Sequence, residues 1–441
     1  MAKCENRSFL RRVVVGFNVM NVWLSFTLVL STPDESLYGK VIKEIRISQL
    51  KYTKEKVVTR ELASKVGEPY TEANVTNDKL NLDRLRIFTS IEINAIQDRE
   101  GVILEVNLVE TFPYLPLISF DVSEENGVSA GPGVKALNLF GRAISLSAAA
   151  RFGGSTSFNA KLESPWTVGH PVGYMSEYVY MDRFNEVDGF QEVSNALDAR
   201  VGYFLGKRGR IGGSFSFLSV NSDTDGITLS PTNTDQIPGL EFFIGFDSRD
   251  LESDPHHGWW TEFVLGKSGK FLGGDANFWT YIIDVRRYQR VADRHTLDFF
   301  SLATLRTGQV DVDIPTYLEF DLGGTNTIRG WTLGSSSGKN QFINTVQYRY
   351  ELMKRRPFKV KGLSLYTGLQ IAVFSDFGIA WSDCSEFTYD NFIGGIGIGL
   401  RVLIPFVDVI RLDLAWGEPD KSVGTYFAVE PKPDRQRRRV R

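Results

Sequence analysis

From Phe112 to Val429 the chain alternates apolar and mixed positions with a period of two, and no helical period is sustained. Between 363 and 376, Leu363, Leu365, Leu369, Ile371 and Val373 share one parity, while Ser364, Tyr366, Gly368, Gln370, Ala372 and Asp376 hold the other. The stretch from Gly395 repeats this, with Ile396, Ile398, Leu400, Val402 and Ile404 set against Gly395, Gly397, Gly399 and Arg401. So does the next, where Ile410, Leu412, Leu414 and Trp416 oppose Arg411, Asp413 and Ala415. One apolar and one mixed face predict β-strands. At about 9 to 11 residues per membrane strand, and roughly 20 per strand with its loop, the segment has room for about 16 of them. Parity alone fits two arrangements: a lipid-facing wall around a polar lumen, or a large soluble β-protein with its mixed face in water.

The pattern changes before Phe112. Val41, Ile45 and Ile47 alternate with charged residues as a half-buried strand does, and Val58, Leu62 and Val66 recur every fourth residue ahead of Gly67, a helix ending in a glycine cap. A second helical stretch carries Leu82 and Leu85; Ile91 to Ile96, the turn Asp98-Arg99-Glu100-Gly101 and Val102 to Val109 follow. The order is strand, helix, helix, strand, strand, which makes a small α+β domain. Further upstream, residues 1–12 are basic and Val13 to Leu30 is largely apolar, which predicts a secretory signal, with an uncleaved signal anchor as the alternative.

Composition narrows the choice. Of 441 residues, 42% are hydrophobic and 23% charged, which excludes a disordered chain, and 12% are aromatic, which together with the signal segment favours the membrane barrel over the soluble protein. The formal net charge is -3, but Lys3, Arg7, Arg11 and Arg12 lie at one end and Lys432, Arg435, Arg437, Arg438, Arg439 and Arg441 at the other. The body between them is therefore acidic, and nucleic acid is not its partner. The basic tail reads as a solvated terminus. Two cysteines, Cys4 and Cys384, allow no Cys-type metal site, and His170, His256, His257 and His295 lack the spacing of a zinc hydrolase.

The most informative run is Leu322-Gly323-Gly324-Thr325-Asn326-Thr327-Ile328-Arg329-Gly330-Trp331. Glycines on both sides of one arginine make a loop that can pass close to a wall and deliver a guanidinium to a fixed target. Downstream, Phe342, Val346, Tyr348, Tyr350 and Leu352 share the apolar parity, leaving Gln347, Arg349 and Glu351 for the lumen; the next strand puts Asp376 there, ahead of Gly378. Two carboxylates inside a barrel need a cation, and Arg329 is expected to supply it for Glu351 and Asp376.

Residues 40–111, with Gly67, Phe88 before Ile91-Glu92-Ile93, and the closing Val106-Asn107-Leu108-Val109-Glu110, resemble a POTRA domain. Ile328-Arg329-Gly330-Trp331 is similar to the Val-Arg-Gly-aromatic loop tip of the BamA/TamA/Sam superfamily of outer-membrane barrels, the bacterial surface antigen family. Leu137-Asn138-Leu139-Phe140-Gly141-Arg142 resembles its early barrel motif, and Asp247-Ser248-Arg249-Asp250 with Pro255 and Gly258 a mid-barrel one. Ser422, Gly424, Phe427 and Val429 resemble the last-strand signal of barrel precursors, although the chain continues beyond them.

The resemblance implies a mainly β protein: a signal segment over 1–31, one POTRA-like domain over 40–111, a 16-stranded antiparallel transmembrane β-barrel over 112–429 and a basic tail over 430–441. It also implies a lid loop held by Arg329 against Glu351 and Asp376, and a weak seam between first and last strands where client barrels are inserted. The expected setting is the bacterial outer membrane with the small domain in the periplasm, an organelle outer envelope being the alternative. Expected partners are the lipid bilayer, unfolded outer-membrane or exported polypeptides, and accessory assembly proteins. A polypeptide secretion pore of the same superfamily is the competing function. No enzyme activity and no cofactor are expected.

Other signals carry less. Gly334-Ser335-Ser336-Ser337-Gly338 fits the G-x-S-x-G nucleophile pattern, but no histidine follows His295 to complete a triad, so the run reads as a flexible loop. His256-His257 beside Trp259-Trp260 reads as an interfacial turn with an aromatic girdle rather than a metal pair.

Overall fold

The computed structural model describes residues 37–430 except 49, 86, 165–170, 207, 251–253, 361–362, 405–407 and 419–422. The expected signal segment lies outside these residues, as do residues 431–441 of the basic tail.

The small domain consists of β1 (Val41–Ile47), α1 (Glu55–Glu61), α2 (Glu72–Arg84), β2 (Phe88–Asp98) and β3 (Gly101–Glu110). Its sheet runs β1-β3-β2, with β1 parallel and β2 antiparallel to the central β3. Ile42, Val57, Val58, Leu82, Leu104 and Val106 form its core. Two details differ from the sequence pattern. Helix α1 stops at Glu61, because Leu62 turns extended and the Asp78 carboxylate on α2 accepts the N–H groups of Ala63 and Ser64. Val66 is thus exposed, and Gly67, at φ +91°, shapes a later turn rather than capping the helix. In β1 a bulge between Ile42 and Glu44 turns Ile42 inward and leaves Val41 outside.

The barrel begins with β4 (Tyr114–Ser123), β5 (Gly127–Leu139), β6 (Ile144–Gly153), β7 (Thr156–Ser164), β8 (Val172–Asn185) and β9 (Phe190–Leu205). It continues through β10 (Gly209–Ser222), β11 (Thr234–Asp247), β12 (Gly258–Gly269), β13 (Asn277–Ala292) and β14 (His295–Arg306). Two short strands, β15 (Phe320–Leu322) and β16 (Ser336–Gly338), leave the wall and pair with each other. Then come β17 (Asn340–Val360), β18 (Leu363–Trp381), β19 (Ile393–Ile404), β20 (Asp408–Trp416) and β21 (Gly424–Glu430). Apart from the inner pair these form one 16-stranded sheet of antiparallel neighbours. It is nearly closed: β4 and β21 come against each other, yet among the described residues no ladder joins them.

The burial pattern separates the two readings that parity left open. Ile396, Ile398, Leu412, Leu414 and Trp416 are exposed on the outer surface, whereas Arg401, Arg411 and Asp413 on the same two strands are buried. A soluble sheet would show the reverse, and an apolar outside around a polar inside is the arrangement of a barrel in lipid. No described helix is long and apolar enough to cross a membrane.

Because β4 starts at the small domain and the strands run as hairpins, the β5–β6, β11–β12 and β17–β18 turns share that end of the barrel. The long β14–β17 connection belongs to the opposite end.

Candidate functional site

The β14–β17 connection folds back into the lumen. Its tip is closed on itself: Gly324 N–H donates to the Trp331 carbonyl (2.7 Å), and Gly323 N–H to the Thr327 hydroxyl (2.8 Å). Gly323 sits at φ +121°, and a Cβ there would lie 1.8 Å from the Thr332 carbonyl oxygen. Gly330, at φ +98°, passes so close to β20 that a Cβ would meet the Trp416 carbonyl carbon at 2.6 Å. Only glycine satisfies both backbone conformation and space at these positions.

Between them Arg329 is completely buried. Its Nε and Nη2 grip both oxygens of Asp376 on β18 (2.8 and 3.1 Å), its backbone N–H adds a third bond to Asp376, and Nη1 reaches Asp413 on β20 (2.6 Å). The guanidinium stacks on Phe374, 3.0 Å from the ring centre. Asp376 also accepts from the Thr345 hydroxyl on β17, and Asp413 from Arg401 on β19 and its near neighbour Arg411. A planar fork bridging two strands in this way fixes the loop in register as well as in energy. The wall has been thinned to receive it. A Cβ on Gly395 would lie 1.9 Å from the Arg329 carbonyl oxygen, and one on Gly399 1.8 Å from Asp413 Oδ1. Gly378 plays the same part, where a Cβ would press on Ile328 and the Phe342 carbonyl.

The expected pairing of Arg329 with both Glu351 and Asp376 is half right. Asp376 is the bidentate partner, but the second carboxylate is Asp413, and Glu351 lies elsewhere on β17. Glu351 lies six positions beyond Thr345, whose ladder partner is Asp376, so along an extended strand it is nearer the small-domain end. The sequence did mark Asp413: it stands on the lumen parity of β20 beside Arg411, but its pairing needed the three-dimensional path of the strand.

At the small-domain end a second cluster holds the β11–β12 turn. Arg349 on β17 donates to Asp298 on β14 (2.6 Å), to Asp254 in the turn (2.6 Å) and to the Pro255 carbonyl. Gln370 on β18 supports Asp254. Gln347 links the two clusters, accepting from Arg401 (2.8 Å) and donating to Asp298 (3.2 Å). The adjacent histidines part company: His257 is exposed, whereas His256 is buried beside Asp254 and Glu351 rather than placed at an interface. The two tryptophans also split, Trp259 facing out and Trp260 lying among Arg210, Arg249 and Arg286.

The lid touches both sides of the seam. Glu124, in the β4–β5 turn, accepts from the backbone and hydroxyl of Thr325 (2.6 and 2.5 Å). Across the gap, Gly330 N–H donates to the Tyr426 hydroxyl on β21 (2.9 Å), and Thr332 donates to Glu418 in the β20–β21 turn. Trp331 completes the clasp through its indole N–H to Gly394 (2.8 Å). Of the last-strand residues, Gly424, Phe427 and Val429 belong to β21, with Phe427 exposed; Ser422 lies outside the described residues. The 334–338 run is ordered rather than loose: Ser336 starts β16, and its hydroxyl accepts the Ala380 N–H (2.9 Å).

The Leu137–Arg142 motif docks the small domain. Asn138, Phe140, Gly141 and Ala143 all adopt positive φ, making a tight knuckle whose Gly141 carbonyl accepts the Lys54 N–H (2.9 Å). Asn138 donates to the Thr53 hydroxyl (2.7 Å). That segment is held in turn by Glu110, whose carboxylate accepts the N–H groups of Lys51, Tyr52 and Thr53 and the Thr53 hydroxyl. Partial burial pushes the Glu110 carboxyl up, but these donors outweigh it and hold the group below its ordinary value.

Comparison with known proteins agrees with this geometry. Residues 138–429 match the model of the Omp85 superfamily domain, and 40–111 that of the surface antigen variable number repeat, a POTRA model. The outer membrane protein assembly factor BamA of Nitratidesulfovibrio vulgaris is 23% identical over 404 residues, 86% of this chain and 48% of that protein. The chain thus spans about half the length of that curated relative. Among solved structures, BamA from Haemophilus ducreyi lacking POTRA domains 1–3 superposes with a TM-score of 0.57 at 14% identity, covering 88% of this chain and 83% of that one. CdiB from Escherichia coli gives 0.57 at 12% identity over 93% and 92%, and CdiB from Acinetobacter baumannii 0.57 at 13% over 89% and 73%. Likenesses of this size show the fold.

Proposed function

The chain belongs to the Omp85 superfamily, and from that premise we propose that it is an outer-membrane protein that assists the folding and insertion of other β-barrels. The observation that carries this reading is the seam. Among the described residues, strands β4 and β21 lie together without a ladder between them, which leaves their facing backbone N–H and C=O groups for a client strand to add to. Burial of the client's apolar face in lipid supplies the driving force, and the role is mechanical, without cofactor or covalent chemistry. The lid, fastened to Asp376 and Asp413 and clasping Glu124, Glu418 and Tyr426, keeps the seam aligned while no client is present. The small domain, in the periplasm, receives extended polypeptides along an exposed sheet edge.

Depleting the protein and surveying the outer-membrane proteome tests this. Broad loss of other barrels is the expected result, and a strain relying on Arg329→Ala should show the same defect in weaker form. Selective loss of one exported protein would assign the chain to secretion instead. An unchanged outer membrane would remove the proposal.

A further inference from the structure

Near the β11–β12 turn, at the small-domain end of the lumen, three side chains converge for which neither the lid clamp nor the seam has a use. His256 is 7% exposed and its Nε2 makes no hydrogen bond. Glu351 Oε1 lies 3.3 Å from that nitrogen and Asp254 Oδ2 3.7 Å, and the three atoms fall within 4.8 Å of one another. Glu351 is buried, and among the described residues its carboxylate contacts no guanidinium; Arg349, two residues away on the same strand, is divided between Asp254 and Asp298. A buried carboxylate that faces only an imidazole, whose nitrogen makes no hydrogen bond, is an expensive arrangement unless something joins them.

We propose that Asp254, His256 and Glu351 bind a divalent transition-metal ion of the zinc class. One imidazole nitrogen and two carboxylate oxygens form a borderline donor set that suits such an ion better than the all-oxygen shells of calcium or magnesium. The spacing agrees. Ligands about 2.0–2.2 Å from a tetrahedral centre stand about 3.3–3.6 Å apart, close to the two separations from His256 and longer than a short charged hydrogen bond. The ion ties the β11–β12 turn to β17 and neutralises charge that Arg349 leaves uncompensated.

The test uses the full chain without a histidine tag, folded in detergent, stripped with chelator and titrated with Zn2+ against a chromogenic competitor. About one Zn2+ per chain is expected, with affinity reduced at least tenfold in His256→Ala and in Glu351→Gln and unchanged in His257→Ala, whose side chain is exposed. Heat-modifiable migration on a gel checks that each variant is folded. If His256→Ala fails that check, the isosteric Glu351→Gln carries the comparison. Absence of stoichiometric binding, or equal binding by the folded variants, overturns the site.

Discussion

Arg329 uses its backbone N–H and three guanidinium nitrogens on two aspartates from different strands, a geometry a lysine cannot copy with one compact ammonium. Removing one partner of a buried, hydrogen-bonded ion pair costs about 3–5 kcal/mol, much of it from the charge left behind. The two carboxylates should not be equivalent. Asp413 accepts from Arg329, Arg401 and Arg411, so Asp413→Asn leaves three guanidiniums crowded together, whereas Asp376→Asn keeps Asp413 among them. Asp413→Asn is therefore expected to lower the midpoint of heat-modifiable gel migration more than Asp376→Asn, with Arg329→Lys between wild type and Arg329→Ala. Equal midpoints for the two aspartate variants would contradict this charge count.

At the level of elements, β19 carries three glycines, Gly395, Gly397 and Gly399, on its inner face beside Arg401. Of these only Gly395 clears the lid itself; a Cβ on Gly397 would meet Phe374 and the Leu414 carbonyl, and one on Gly399 Asp413 and Arg401. Gly395→Ala, which places a methyl 1.9 Å from the Arg329 carbonyl oxygen, should expel the lid and expose residues 323–332 to protease while the barrel stays folded. Unchanged cleavage would mean that the backbone yields instead. The junction between the small domain and β5 rests on Glu110. Its depressed carboxyl contributes stability that is present above the ordinary carboxylate range and lost as pH falls through its lower folded value. Glu110→Gln should thus cost about 1 kcal/mol at neutral pH, modest because the carboxylate is largely solvated, and nothing once acid has protonated the wild-type group. Thermal melts of both proteins across pH 3–7 measure it.

At the scale of the whole molecule the barrel is held together unevenly. Every neighbouring pair from β4 round to β21 shares a ladder, and among the described residues the seam is bridged instead by the lid loop, whose Thr325 and Gly330 N–H groups reach Glu124 on one side and Tyr426 on the other. Backbone amides of β4 and β21 at the seam should exchange with deuterium faster than those of β11 to β13, and Tyr426→Phe should widen the difference by removing the hydroxyl that Gly330 uses. Equal protection all round would argue for a fully closed barrel.

Periodicity was enough to read about 16 strands behind a small α+β domain, and the glycines around Arg329 a loop that carries a guanidinium to a wall carboxylate such as Asp376, because a period of two and glycine's backbone freedom are local properties; the closed barrel and the lid were implied by the family resemblance. Which parity faces outward was not local: it follows from how the sheet curves, and burial of Arg411 and Asp413 beside exposed Leu412 and Leu414 decided it. Distances between strands were likewise beyond the sequence. Asp413 replaced Glu351 at the lid, and Glu351 met His256 instead, because antiparallel register and the inward fold of the β11–β12 turn set those meetings. The early and mid-barrel motifs could be found as strings, but only the folded chain shows that one docks the small domain and the other leads into a turn clamped by Arg349. The stop of α1 at Glu61 has the same origin: Asp78 from the next helix takes the N–H groups that a longer helix would have used.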